Sequence, residues 1–182
     1  MAKNIIQEKV DMPKGVMAQL SDKNLLVKGP KGEVSRIFNN PAITIQISEA
    51  SIVMSTTKKS KKLKKVTGTM KAHIKNMVRG CALGYTYTLK VCSGHFPMTV
   101  AVKNKEFSLK NFFGEKVPRL LTIKDGVTVK IEGEHIIIDG ANKETCGQVA
   151  ADIEMLTRRT SFDRRIFQDG IYITKKNDKE IK

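Results

Sequence analysis

The stretch Ile43–Met54 reads ITIQISEASIVM, and Val127–Ile138 reads VTVKIEGEHIII. In the first, Ile43, Ile45 and Ile47 alternate with polar residues; in the second, Val127, Val129 and Ile131 do the same. This is the period-two pattern of a half-buried strand. A short polar turn follows in each, Ser48 to Ser51 and Glu132 to Glu134, and then another apolar run. Two runs joined so closely predict an antiparallel hairpin.

The correspondence extends outward from the hairpins. On the N-terminal side, Leu25-Leu26-Val27-Lys28, GPKG (Gly29 to Gly32) and Glu33 match Phe107-Ser108-Leu109-Lys110, NFFG (Asn111 to Gly114) and Glu115. On the C-terminal side, TGTMKAHIKNMV (Thr67 to Val78) matches CGQVAADIEMLT (Cys146 to Thr157), with Gly68, Ala72 and Ile74 falling on Gly147, Ala151 and Ile153. Three matched segments in the same order predict a tandem duplication of about 80 residues. Each unit closes on a helix. Leu63, Val66, Met70, Ile74, Met77 and Cys81 recur at steps of three and four, as do Cys146, Val149, Ile153 and Leu156. Asn142, after the Asp139-Gly140 turn, is the expected N-cap of the second helix. YTYTLKVC (Tyr85 to Cys92) alternates strictly and opens the second unit. The fold expected is α+β: two tandem domains, 1–82 and 83–182, each an antiparallel sheet with one helix packed on one face.

The charge is concentrated. The 182 residues carry 33 Lys or Arg against 18 Asp or Glu, a net charge of +15. Ala50 to Lys105 holds twelve of the cations and no Asp or Glu. A second basic cluster is Arg158, Arg159, Arg164 and Arg165. Unbalanced positive charge repels itself until a counter-charge arrives, so both clusters point to a polyanion. Lys58, Lys59, Lys61, Lys62, Lys64, Lys65 and Lys71 lie on or beside the first helix, its apolar stripe facing the sheet. No base-stacking aromatics are interleaved with them, which favours backbone and shape recognition of a structured nucleic acid. In the second cluster, Arg158 and Arg159 with Ser161 and Phe162 offer bidentate phosphate contacts and stacking, and Gly170 allows close approach of RNA.

Other chemistries find no support. His73, His95 and His135 have no ligand partner at metal spacing, and Cys81, Cys92 and Cys146 form no CxxC pair. They read as reduced, buried thiols. There is no phosphate-loop motif and no nucleophile elbow, and Glu132, Glu134 and Asp139 read as solvated hairpin charges. No catalytic residue, metal or cofactor is expected. The GxxG of GPKG lies between strands, not between the two helices that a KH clamp requires; Gly29 and Gly32 read as turn residues allowing positive φ. No apolar run is long enough to span a membrane and no leader is apparent, so the expected location is cytoplasmic.

With these residues assembled, the chain closely resembles the large-subunit ribosomal protein L-six family, whose eukaryotic relatives are called L-nine. The LLVKGPKGEVSR turn, the TGTMKAHIKNMVRG helix start and the duplicated units carry the resemblance over about Met12 to Thr174. Arg165-Ile166-Phe167-Gln168-Asp169-Gly170-Ile171-Tyr172 looks like the R-x-F-x-D-G-[IL]-Y signature of its archaeal and eukaryotic branch, and the short chain favours the archaeal type. The resemblance implies a structural constituent of the large subunit that binds large-subunit ribosomal RNA near the sarcin–ricin region, at the base of the factor-binding stalk. It implies neighbouring ribosomal proteins, including those of the stalk base, translational GTPases docking nearby, and no membrane. Carried over by position, the RNA contacts are Arg158, Arg159, Arg164, Arg165, Phe167, Gly170 and Tyr172. The lysines come from charge alone. The rival readings are a free-standing RNA- or DNA-binding module and a small nucleic-acid enzyme, which would need an acidic or His cluster.

Overall fold

The computed structural model describes residues 6–48, 50–58, 60–163, 165–177 and 179–181. Its internal contacts divide the chain between Gly84 and Tyr85. In the first unit, β1 (Gln7–Asp11), β6 (Ser51–Thr56) and β5 (Ile43–Ser48) form one antiparallel sheet in the order β1-β6-β5. β2 (Met17–Ser21), β3 (Asn24–Gly29) and β4 (Gly32–Ile37) form a second, in chain order. The helix α1 (Lys61–Leu83) packs on β1, β3, β4 and β6, and so on both sheets.

The second unit repeats this plan strand for strand. β8 (Thr99–Lys103), β9 (Glu106–Lys110) and β10 (Arg119–Thr122) form one sheet. β11 (Val127–Glu132), β12 (His135–Gly140) and β7 (Tyr85–Cys92) form the other, which β13 (Gly170–Lys176) and β14 (Lys179–Glu180) extend on the far side of β7. The helix α2 (Lys143–Leu156) packs on β7, β10, β12 and β13. Even the register is duplicated. Ile52 stands opposite Val10 and Ile47, and its counterpart Ile136 stands opposite Leu89 and Ile131. The antiparallel α+β plan with one helix per unit is thus the one the alternation predicts. The strands of each unit divide between two small sheets bridged by the helix.

The periodic residues make the core. Leu25, Ile52, Met54 and Ile74 are buried in the first unit, and Phe107, Ile136, Ile138 and Ile153 in the second. Burying one such side chain contributes roughly 1.5–3 kcal/mol, which outweighs the weak intrinsic preference of a lone helix or hairpin. α2 starts as expected: the Asn142 side chain accepts a hydrogen bond from the Glu144 N–H at 3.0 Å.

The GPKG turn differs from expectation in one residue. Gly32 has φ +136°, a conformation that disfavours side chains. Gly29 is needed for another reason. A Cβ there would stand 2.5 Å from the Cys81 carbonyl oxygen, because the last turns of α1 lie against the β3–β4 hairpin. The Lys31 N–H donates to that same carbonyl at 3.0 Å.

Candidate nucleic-acid interface

Thr157 ends α2, and a loop then returns the chain to β13, which begins at Gly170. Two carboxylates shape this loop. Asp163 accepts from the Arg165 N–H at 2.9 Å, and its carbonyl accepts from the Phe167 N–H at 2.9 Å, closing a turn. Asp169 ties the far end to the segment after β7. Its Oδ1 accepts from the Gly94 N–H (2.9 Å) and its Oδ2 from the His95 N–H (3.0 Å).

Aromatic rings fill the space beneath. Phe162 and Phe167 meet edge to face, with centroids 5.0 Å apart. Phe113 lies 5.7 Å from Phe162, and His95 lies 5.2 Å from Phe167. Phe113 stands at φ +48°, where an L-residue pays roughly 1–2 kcal/mol. It reaches the cluster from the NFFG segment, the counterpart of GPKG. The Arg159 guanidinium lies 4.2 Å from the Phe162 ring centre and 5.3 Å from that of Phe113. Ring faces engage the guanidinium plane and leave its in-plane N–H donors for an acceptor.

A second arginine sets the end of α2. Arg119 on β10 forms a bidentate pair with Glu115 (2.8 and 2.7 Å) and also donates to the Leu156 carbonyl. A cation there offsets the negative end of the helix dipole. The hydrogen bonds and charge of Arg119, with the charge of Arg159, hold the Glu115 carboxyl below its ordinary range despite partial burial.

These elements surround an open cavity of about 310 Å³. Arg158, Arg159, Phe167 and Tyr172 line it, and so do Phe113, Glu154 and Phe162. Four residues expected at the RNA interface therefore converge on one place. Gly170 sits beside it, buried and paired with Cys92; a Cβ there would stand 3.1 Å from the Tyr172 hydroxyl oxygen. Its close neighbour is thus a ring of the same chain. Ser161 and Arg165 are on the loop surface, with Arg165 paired to Asp163 at 2.9 Å. Arg164 lies outside the described residues.

The lysines fall on the other unit. Lys61, Lys62, Lys64 and Lys65 are exposed in the first two turns of α1, with Lys58 just before it; Lys59 lies outside the described residues. No acidic residue occupies the first turn of α1, and Ser60 makes no side-chain cap. Cations at a helix N-terminus oppose the dipole, and like charges three and four residues apart repel. Lys71 stands apart. Its Nζ is held by Glu8 at 2.7 Å, tying α1 to β1.

Among the described residues, no three His, Cys, Asp or Glu side chains gather to hold a metal ion, and no helix is long and apolar enough to cross a membrane. The family model for ribosomal protein L6 matches residues 12–82 and 96–170, one match in each unit. The large ribosomal subunit protein uL6 of Desulfurococcus amylolyticus is 42% identical over 176 residues, covering 95% of this chain and 96% of that protein. This chain belongs to the ribosomal protein L6 family.

Two further uL6 proteins of archaea agree. That of Methanothrix thermoacetophila is 42% identical over 94% of this chain and 97% of its own length; that of Methanosarcina mazei is 41% identical over the same shares. The L6-family chain is of the archaeal type and is a structural, non-catalytic protein. The two model matches fall on the duplicated halves. Sequence reasoning missed Phe113 and Glu154 as parts of the site, and it quoted Asp169 in the family signature without giving it a role. For Phe113 the local signal was NFFG, where two Phe replace Pro30 and Lys31 of the first repeat.

Proposed function

We propose that this L6-family chain is a constituent of the large ribosomal subunit, in the cytoplasm, that binds large-subunit ribosomal RNA. The observation carrying this reading is the convergence of Arg158, Arg159, Phe162, Phe167 and Tyr172 on one open cavity of the second unit. Arginine forks suit phosphate, and the uncovered rings suit unstacked bases. The N-terminal end of α1 supplies a second cationic surface, built of lysine point charges that suit phosphate without base readout.

The finer reading places the protein near the sarcin–ricin region at the base of the factor-binding stalk, beside other ribosomal proteins and the docking site of translational GTPases. It rests on the match of Arg165 to Tyr172 with the family signature. The domains are 1–82 and 83–182, a reading supported by the division of contacts at Gly84. The mechanism is charge neutralisation with shape fit, holding separate RNA segments in one arrangement.

Sucrose-gradient fractionation of lysate in moderate and then high salt tests the placement. The protein is expected to travel with the large subunit and to survive the high-salt wash. A peak at the top of the gradient in both salts would instead indicate a free-standing nucleic-acid binder. Filter binding to large-subunit RNA tests the mechanism. The logarithm of affinity should fall linearly with the logarithm of salt, by roughly 0.7–0.9 per phosphate contacted.

A further inference from the structure

Three features of the cavity are unexplained by phosphate binding. The first is Glu154. A carboxylate beside an RNA backbone is repulsive unless hydrogen-bond donors meet it. Glu154 lines the cavity with Arg158 and Arg159, and its Oε1 accepts from the Ile173 N–H at 3.2 Å. That bond fixes the carboxylate and uses one of its roughly four lone-pair sites. The second is ring exposure: Phe162 is 37% exposed and Tyr172 is 39% exposed, although both border a packed aromatic cluster. The third is backbone strain on both sides, Phe113 at φ +48° and Ser161 at φ +69°. Such conformations persist where the surrounding structure enforces them, and they gather at binding sites.

Resting on the RNA-binding reading above, we infer that this cavity receives one unstacked guanine of the bound RNA: its ring against Phe162 and Tyr172, its N1–H and N2–H edge on the Glu154 carboxylate, and its flanking phosphates on Arg158 and Arg159. The choice of base follows from the edges. Guanine alone presents two adjacent donors on its Watson–Crick edge. Adenine and cytosine place a ring acceptor beside their amino group, and uracil flanks its single N–H with two carbonyls; each of these acceptors would face the carboxylate. Unstacked RNA bases are read in this way, by stacking and by their Watson–Crick edges. The volume, about 310 Å³, is at the small end of the roughly 300–1,000 Å³ range of ligand sites. It suits one nucleoside.

The test uses the full chain. Guanosine, adenosine, cytidine and uridine 5′-monophosphates and inorganic phosphate are titrated separately and followed by NMR. Guanosine monophosphate should move the resonances of Phe113, Met155, Phe162 and Tyr172, binding about tenfold tighter than the other three. Glu154→Gln keeps the acceptor for Ile173 but turns an amide donor toward the base. It should lower guanosine monophosphate affinity about tenfold, while the phosphate response stays as strong or grows stronger and the melting temperature is unchanged. An equal response to all four nucleotides, a response to inorganic phosphate alone, or indifference of guanosine monophosphate binding to Glu154→Gln would overturn the guanine site. Filter binding of the same wild-type chain to large-subunit RNA separates the two readings. RNA binding without guanine selectivity overturns only this inference. Guanine selectivity without RNA binding overturns the RNA reading.

Discussion

Asp169 holds His95 twice: its Oδ2 accepts from the His95 backbone N–H and its Oδ1 meets the ring Nδ1, each at 3.0 Å. The neighbouring N–H groups of Gly94 and Phe96 also donate to this carboxylate, whose side chain is only 2% exposed. One buried charge therefore fixes both the entry to β13 and the segment leaving β7, and with them Phe167.

This arrangement makes stability depend on acid. Burial pushes the Asp169 carboxyl up, but the hydrogen bonds from the His95 ring and from three backbone N–H groups outweigh it and hold it below the ordinary range. The unfolded chain then binds more protons than the folded one, so the contribution is complete above the ordinary aspartate value of about 3.9. It is lost as pH falls through the lower, folded value. Asp169→Ala should cost about 3 kcal/mol at neutral pH, and acid unfolding of the variant should show a shallower pH slope. An unchanged slope in a pH series of urea melts would exclude Asp169 as its source.

Gly29 should be intolerant for reasons of contact. Gly29→Ala sets a methyl group against the Cys81 carbonyl, which belongs to backbone and cannot rotate away. A loss of about 2–3 kcal/mol is expected, whereas Gly68→Ala, with nothing within 4 Å of its Cβ, should be neutral or mildly stabilising. Thermal melts of the two variants decide this.

The N-terminal end of α1 exchanges stability for charge. Replacing Lys61 and Lys62 by Glu puts acids where the helix dipole favours them and relieves like-charge repulsion. The free protein should gain about 0.5–1 kcal/mol. The same variant should bind large-subunit RNA more weakly, with a salt slope reduced in magnitude by about 1–2. Improved stability with an unaltered slope would mean that these lysines touch no phosphate.

Asp163 pairs with Arg165 through two nitrogens at the surface and, in the proposed RNA-binding reading, would compete with phosphate for it. Asp163→Asn keeps an acceptor for the Arg165 N–H and removes the competing charge. RNA affinity should rise about two- to fivefold, with the melting temperature unchanged. A drop in affinity would show that the pair presents the arginine and does not sequester it.

Thiol chemistry should separate the three cysteines. Burial, then the nearby Asp139, pushes the Cys146 thiol up to about 11, and burial also raises Cys81. Cys92 is half-buried. Alkylation of the native protein near pH 8 should therefore label Cys92 first, and equal rates at all three, read by mass spectrometry, would contradict the burial described.

Local periodicity determined much of this protein. Strands and helices repeat every two and about 3.6 residues, so Ile43 to Met54 and Thr67 to Val78 declared their structures without distant partners, and their copies declared the duplication. Asn142 announced a helix start because capping is local. The cationic surplus pointed to a polyanion as the proposed partner because charge sums without regard to fold. Only the tertiary structure separated Lys71, bound to Glu8, from the lysines at the start of α1. Only it showed that Gly29 answers to a carbonyl far along the chain, that β13 completes the sheet of β7, and that Glu154 and Phe113 share a cavity with Arg159. Each of these depends on residues far apart in sequence, such as Gly94 and Asp169, which no local period connects and which meet only when buried surfaces pack together.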